Sequence, residues 1–87
     1  MEGKLFMYLH IGNDIMLHNK DILGIFNLKY IKNTKEYKSM YKDLDINGNI
    51  INISEDMEKA FILVEKNKDI KGIVTKVGVG TIMKRLV

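Results

Sequence analysis

Apolar residues recur along the chain in short clusters divided by polar turns, a pattern of short strands more than of long helices. Residues 5–11 (LFMYLHI) and Ile15–His18 flank Gly12-Asn13-Asp14, which predicts a β-hairpin. Asn19-Lys20-Asp21 is a second turn or a single helical turn. Ile22–Leu28 (ILGIFNL) has the length of a buried strand, although periodicity alone also admits a short helix. Residues 33–44 carry the clearest helical signal, because Tyr37, Met40, Tyr41 and Leu44 fall at i, i+3, i+4 and i+7. Asn33 suits the N-cap, with Glu36 three residues on as in a capping box, and Lys35, Lys38 and Lys42 lie on the polar side. Asn47-Gly48 ends the pattern, and residues 49–53 (NIINI) read as a strand.

Lys59–Glu65 (KAFILVE) is a continuous apolar run between charged ends, suited to a central strand covered on both faces. Lys66–Asp69 is a polar turn, and Ile70–Val77 is the next strand, forming a hairpin with the run before it. Gly78 and Gly80 loosen the chain, and Thr81 is placed to cap a last short helix whose Ile82, Met83 and Leu86 share a face. These elements predict one α+β domain: a small antiparallel sheet of about five short strands with two helices, without repeats or a linker.

Size changes the picture. A chain of 87 residues buries only roughly 60–65% of the surface its unfolded form exposes. It has no Cys, which excludes disulfides, thiolate metal sites and thiol catalysis. Yet 46% of its residues are hydrophobic, so subunits are expected to bury surface against each other in a homo-oligomer. The longest apolar runs, Ala60–Val64 and Ile22–Phe26, have five residues each, far short of the ~20 that span a membrane. With no signal-peptide pattern at the N-terminus, the expected location is the cytoplasm.

The net charge of +3 comes from 13 Lys and one Arg against 11 acids. Thirteen Ile and eight Asn accompany the lysines, the skew of an AT-rich bacterial genome, which weakens the charge as evidence for nucleic-acid binding. Placement is more informative. Residues 29–42 hold five Lys and one Glu, residues 43–58 hold five acids and no base, and residues 66–85 hold five Lys and one Arg against Asp69. A polyanion site is therefore expected from the helix and the C-terminal third.

Three stretches imitate chemistry. Asp43-Leu44-Asp45-Ile46-Asn47-Gly48 matches the first half of a calcium loop, but its twelfth position is Ser54, which cannot supply the bidentate carboxylate. His10, His18 and Asp14 lack any metal-ligand spacing and read as strand and turn residues. Gly78-Val79-Gly80-Thr81 before a helix is a faint phosphate-loop pattern that lacks the G-K-[ST] ending, and a flexible turn explains it. No hydroxyl lies in a nucleophile turn or beside a His, so neither enzymatic activity nor a metal or cofactor is expected.

Met7–Leu28 (MYLHIGNDIMLHNKDILGIFNL) resembles the opening of the RemB branch of the RemA/RemB-like extracellular matrix regulatory proteins. The most specific match is Lys20-Asp21-Ile22-Leu23-Gly24-Ile25-Phe26. Two shorter ones follow in order, Glu58–Val64 (EKAFILV) and Thr81–Leu86 (TIMKRL), while residues 29–57 match only in character. The resemblance implies a cytoplasmic domain with a LytTR-like DNA-binding surface that assembles into rings and regulates biofilm-matrix genes. The family's paired arginines fall where this chain has Asp56-Met57-Glu58-Lys59, so only Lys59 keeps positive charge and the arginine role is not carried over.

The expected function is thus an oligomeric transcriptional regulator that contacts the phosphates of double-stranded DNA through Lys59, Lys66, Lys68, Lys84 and Arg85, with little base readout. The rival is a structural or protein-binding module of the same fold that has lost DNA binding. Basic residues converging on one face favour the first, and scattered ones the second. Met7 is the expected native start, since the family pattern opens there and Glu2-Gly3 implies a purine-rich, ribosome-binding-like codon pair; otherwise Leu5 and Phe6 extend the first strand. The assembly expectation is checked by sedimentation at micromolar concentration: the mass exceeds the 10.1 kDa of one chain, and a clean monomer overturns it.

Overall fold

The computed structural model describes residues 8–12 and 15–86. The expected start at Met7, Leu5 and Phe6, and Asn13-Asp14 of the first turn lie outside the described residues. The chain runs β1 (Tyr8–His10), β2 (Met16–His18), a 3-10 turn (Asn19–Asp21), β3 (Ile22–Asn27), α1 (Leu28–Ile31), α2 (Lys35–Ile46), β4 (Ile50–Ile53), β5 (Ala60–Lys66), β6 (Asp69–Thr75) and α3 (Val79–Leu86). The domain is α+β, with six strands and three helices among the described residues.

β1 and β2 form the anticipated hairpin, with Tyr8 opposite His18 and His10 opposite Met16. The two histidines therefore sit at different registers, and the His18 ring nitrogen Nδ1 accepts from the Lys20 amide. The other four strands make a second sheet in the order β3-β5-β6-β4. β5 pairs antiparallel with both β3 and β6, as a central strand and a hairpin partner. The hairpin turn, Asn67-Lys68, holds both residues at positive φ, as a two-residue type I′ connection requires.

The sheet is mixed, however, because β4 runs parallel to β6. β3 and β6 are both antiparallel to β5, so β4 also runs parallel to β3. The cause is α2, which carries the chain back along the sheet before β4 begins. The helix accomplishes the reversal that a tight turn accomplishes in an antiparallel pair.

Strand alternation divides the core in two. Ala60, Ile62, Val64 and Ile73 share one face with Leu9, Ile11, Ile53 and Ile82, beneath the β1–β2 hairpin and α3. Phe61 and Val74 share the other with Leu28, against which Tyr37, Met40, Tyr41 and Leu44 of α2 pack. The predicted helical stripe therefore faces the sheet.

The helix ends differ from expectation by local hydrogen bonding. Thr34, not Asn33, caps α2, its hydroxyl oxygen accepting from the Tyr37 amide at 3.2 Å. Asn33 is consumed in the turn closing α1, where the Lys32 amide donates to Leu28 and the Thr34 amide to Ile31. α2 continues through the acidic half-loop. Asp43 and Asp45 are helical, and Gly48 (φ 72°) ends the helix while the Gly48 and Asn49 amides donate back to the Asp45 and Leu44 carbonyls. α3 begins at Val79, so Thr81 lies inside it and does not cap it.

Gly72 in β6 is required by packing. A Cβ there would stand 2.5 Å from Phe61 Cζ and 3.1 Å from Ile50 Cδ1, and the Phe61 ring is fully buried, with no room to swing away. Gly72→Ala is accordingly expected to cost about 1–3 kcal/mol in urea unfolding, the range of overpacking. Phe61→Leu in the same background is expected to recover part of that loss.

Candidate functional site

The basic segments meet at the edge where β5 begins and β3 and β6 end. Asn27, Ala60 and Thr75 stand side by side at the close of β3, the start of β5 and the close of β6. The Leu28 amide donates to the Lys59 carbonyl at 3.1 Å, and the Lys59 amide to the Thr75 carbonyl at 3.0 Å. These bonds fix the α1 turn, Lys59 and the approach to α3 as neighbours. Asn27 caps α1, its side-chain oxygen accepting from the Lys29 amide at 3.0 Å. Leu28 is buried and Ile31 half-buried, so one turn of helix presents Lys29, Tyr30 and Lys32 outward.

The result is a cleft of about 310 Å³ lined by Lys29, Lys32 and Lys59, with Asn27, Glu58 and the first residues of α3, Gly78 and Val79. The first turn of α3 carries no acid, so its amide dipoles add to the lysines' field. Glu58 is the one opposing charge in the lining. Lys76, at the same end of the sheet, is neutralised by Glu55 at 2.5 Å. A larger groove, about 700 Å³, opens between α2 and the sheet, but its floor is Met40, Leu44, Leu63 and Ile70 and no set of like charges converges on it. The smaller cleft is the one on which basic side chains converge.

Of the five residues expected to touch phosphate, only Lys59 lies in this cleft. Lys66 and Lys68 sit at the β5–β6 turn, at the other end of the strand, roughly 20 Å away at ~3.3 Å per residue. Lys84 is exposed on the last turn of α3, about 7.5 Å along the axis from Val79. Arg85 donates from Nη1 to the His10 carbonyl at 2.6 Å, which ties α3 to the hairpin. Lys29 and Lys32 were missed as site residues, although both belong to the first basic block. Their signal was the block itself, and only strand pairing brings it to Lys59.

A second, shallower opening shares Lys32 and Glu58 with the cleft and adds Asn33, Tyr37 and Tyr41. Tyr37 stands edge-on to Phe61, with ring centroids 5.2 Å apart, and 5.8 Å from Tyr41. Burial, reinforced by Tyr41 and Glu58, pushes its hydroxyl up to about 12; burial, with Asp45 and Glu58, also raises Tyr41. Among the described residues no group of three His, Asp or Glu is placed to hold a metal ion, and no helix is long and apolar enough to cross a membrane. The chain matches no family model and no curated protein.

The Tyr37 shift has a measurable sign. The folded protein binds this proton more tightly than the unfolded chain, so the contribution is complete below pH 10.0 and is lost as pH rises toward about 12. A tyrosinate absorbance titration is expected to contain a component near pH 12 that Tyr37→Phe removes. The melting midpoint of the variant is expected to fall less steeply over that range.

Proposed function

We propose that the chain is a nucleic-acid-binding regulator of the RemA/RemB-like type, acting as an oligomer that holds DNA phosphates at the Lys29–Lys32–Lys59 cleft. The observation that carries this reading is the convergence of three lysines on a helix start free of acids. Lysine supplies a point charge for phosphate and reads no base on its own, so the binding is driven by counterion release and is weakly selective for sequence. The resemblance of Met7–Leu28 supports the family assignment, and with it ring assembly, a LytTR-like surface and control of matrix genes. Lys59 occupies the segment in which the family carries its arginines, and it is joined here by Lys29 and Lys32.

A second reading is favoured by a specific observation. Lys66, Lys68, Lys84 and Arg85 do not converge on the cleft within one chain. A structural or protein-binding module tolerates that scatter, whereas a DNA-binding ring must gather it from neighbouring subunits.

A salt series of binding to random-sequence duplex DNA separates the two. The regulator binds at ~50 mM salt, and its affinity falls steeply as salt rises, by about 0.9 in the log–log slope for each phosphate neutralised. Joint replacement of Lys29, Lys32 and Lys59 by Glu is expected to abolish that binding while leaving the oligomer mass unchanged. No binding by the wild type at ~50 mM salt overturns the regulator reading in favour of the module.

A further inference from the structure

We infer that this end of the sheet also binds single-stranded DNA, with an unpaired base stacked on Tyr30 and its flanking phosphates held by Lys29, Lys32 and Lys59. The inference rests on the proposal that the cleft binds phosphodiester and names a second form of its partner.

Tyr30 is 72% exposed and belongs to neither core cluster. Its backbone is nonetheless fixed, because Leu28 on one side is buried and Ile31 on the other packs against the Phe61 cluster. The α1 turn also closes on itself through the Lys32 amide and the Leu28 carbonyl, and Asn27 caps it. The fold thus anchors the turn from which this aromatic ring reaches into solvent. A lone exposed tyrosine is ordinary on a protein surface. This one has a cation beside it: the Lys29 ammonium stands over the ring, 5.8 Å from its centroid, and also lines the cleft that Lys32 and Lys59 share, which leaves the opposite face of the ring open to a base.

An exposed aromatic face beside a cluster of lysines is an arrangement that holds single strands. Bases stack on the ring while the cations follow the backbone, and affinity depends little on sequence because every base has a π-face. A duplex can use the lysines but not the ring, since its bases already stack on each other. At about 310 Å³ the cleft is at the lower end of small-ligand sites, a scale suited to the sugar-phosphate backbone of a strand whose base lies outside it on Tyr30.

The test measures anisotropy of a labelled oligothymidylate and of a blunt duplex at ~50 mM salt, for the wild type, Tyr30→Ala and Tyr30→Trp. Tyr30→Ala is expected to weaken single-strand binding roughly 5- to 150-fold, with duplex affinity and the salt slope unchanged. Tyr30→Trp, with its larger face, is expected to bind the single strand at least as tightly as the wild type. Equal effects of Tyr30→Ala on both probes, or none on the single strand, overturn the inference. A change in oligomer mass on Tyr30→Ala also overturns it, by making the ring a subunit contact. Duplex binding without single-strand binding removes the stacking alone, whereas binding to neither probe removes the phosphate site as well.

Discussion

Burial of β5 on both faces is the constraint on which the domain depends. Ala60, Phe61 and Ile62 are all inaccessible to solvent, and Val64 nearly so. A strand so placed needs a neighbour on each edge and a layer on each face. The edges are met by β3 and β6, the Phe61 face by α1 and α2, and the Ile62 face by the β1–β2 hairpin and α3. Removing either layer would open one of two small cores, neither large enough to hold the sheet alone. Thr75 ties the hairpin layer to the sheet at its margin. Its buried hydroxyl donates to the Ile11 carbonyl at 2.9 Å and accepts from the Val77 amide at 3.1 Å, so the hairpin, β6 and the approach to α3 share one side chain.

The same strand positions the cleft. Because β5 begins at Ala60, Lys59 is the last residue before the buried run, and its backbone is bonded to Leu28 on one side and Thr75 on the other. A charged residue at that point leaves its side chain in water while its main chain belongs to the sheet. Three lysines lining one cleft repel one another, and Glu58 and the acid-free start of α3 bear on that repulsion in opposite ways. Glu58 offsets it in the unliganded protein. The helix amides reward an anion and so favour occupancy.

Much of this was legible in the sequence. The charged ends and continuous apolar run of residues 59–65 identify a two-sided strand, the i, i+3, i+4, i+7 spacing of Tyr37–Leu44 identifies a helix and the face it buries, and the turn at 66–69 pairs β5 with β6. These are local properties, fixed by periods of two and 3.6 and by turn chemistry. The cap at Thr34 escaped because Asn33 and Thr34 are both capable caps, and the choice was made by α1, four residues too short to show in a pattern. The run of α2 past Leu44 through Asp45 and Ile46 escaped because those residues also suit a turn.

What only tertiary structure decided is direction and neighbourhood. The parallel run of β4 follows from the path of α2 across the sheet, and no residue of NIINI records which way its neighbour points. The lysine cleft is likewise non-local: Lys29 and Lys59 are thirty residues apart in sequence and meet because Asn27 pairs with Ala60. The sequence by itself determined that two basic blocks exist and which strand lies at the centre. It could not say that Lys59 would leave Lys66, Lys68, Lys84 and Arg85 for the company of Lys29 and Lys32, because charge is written along the chain while electrostatic potential depends on distance through space.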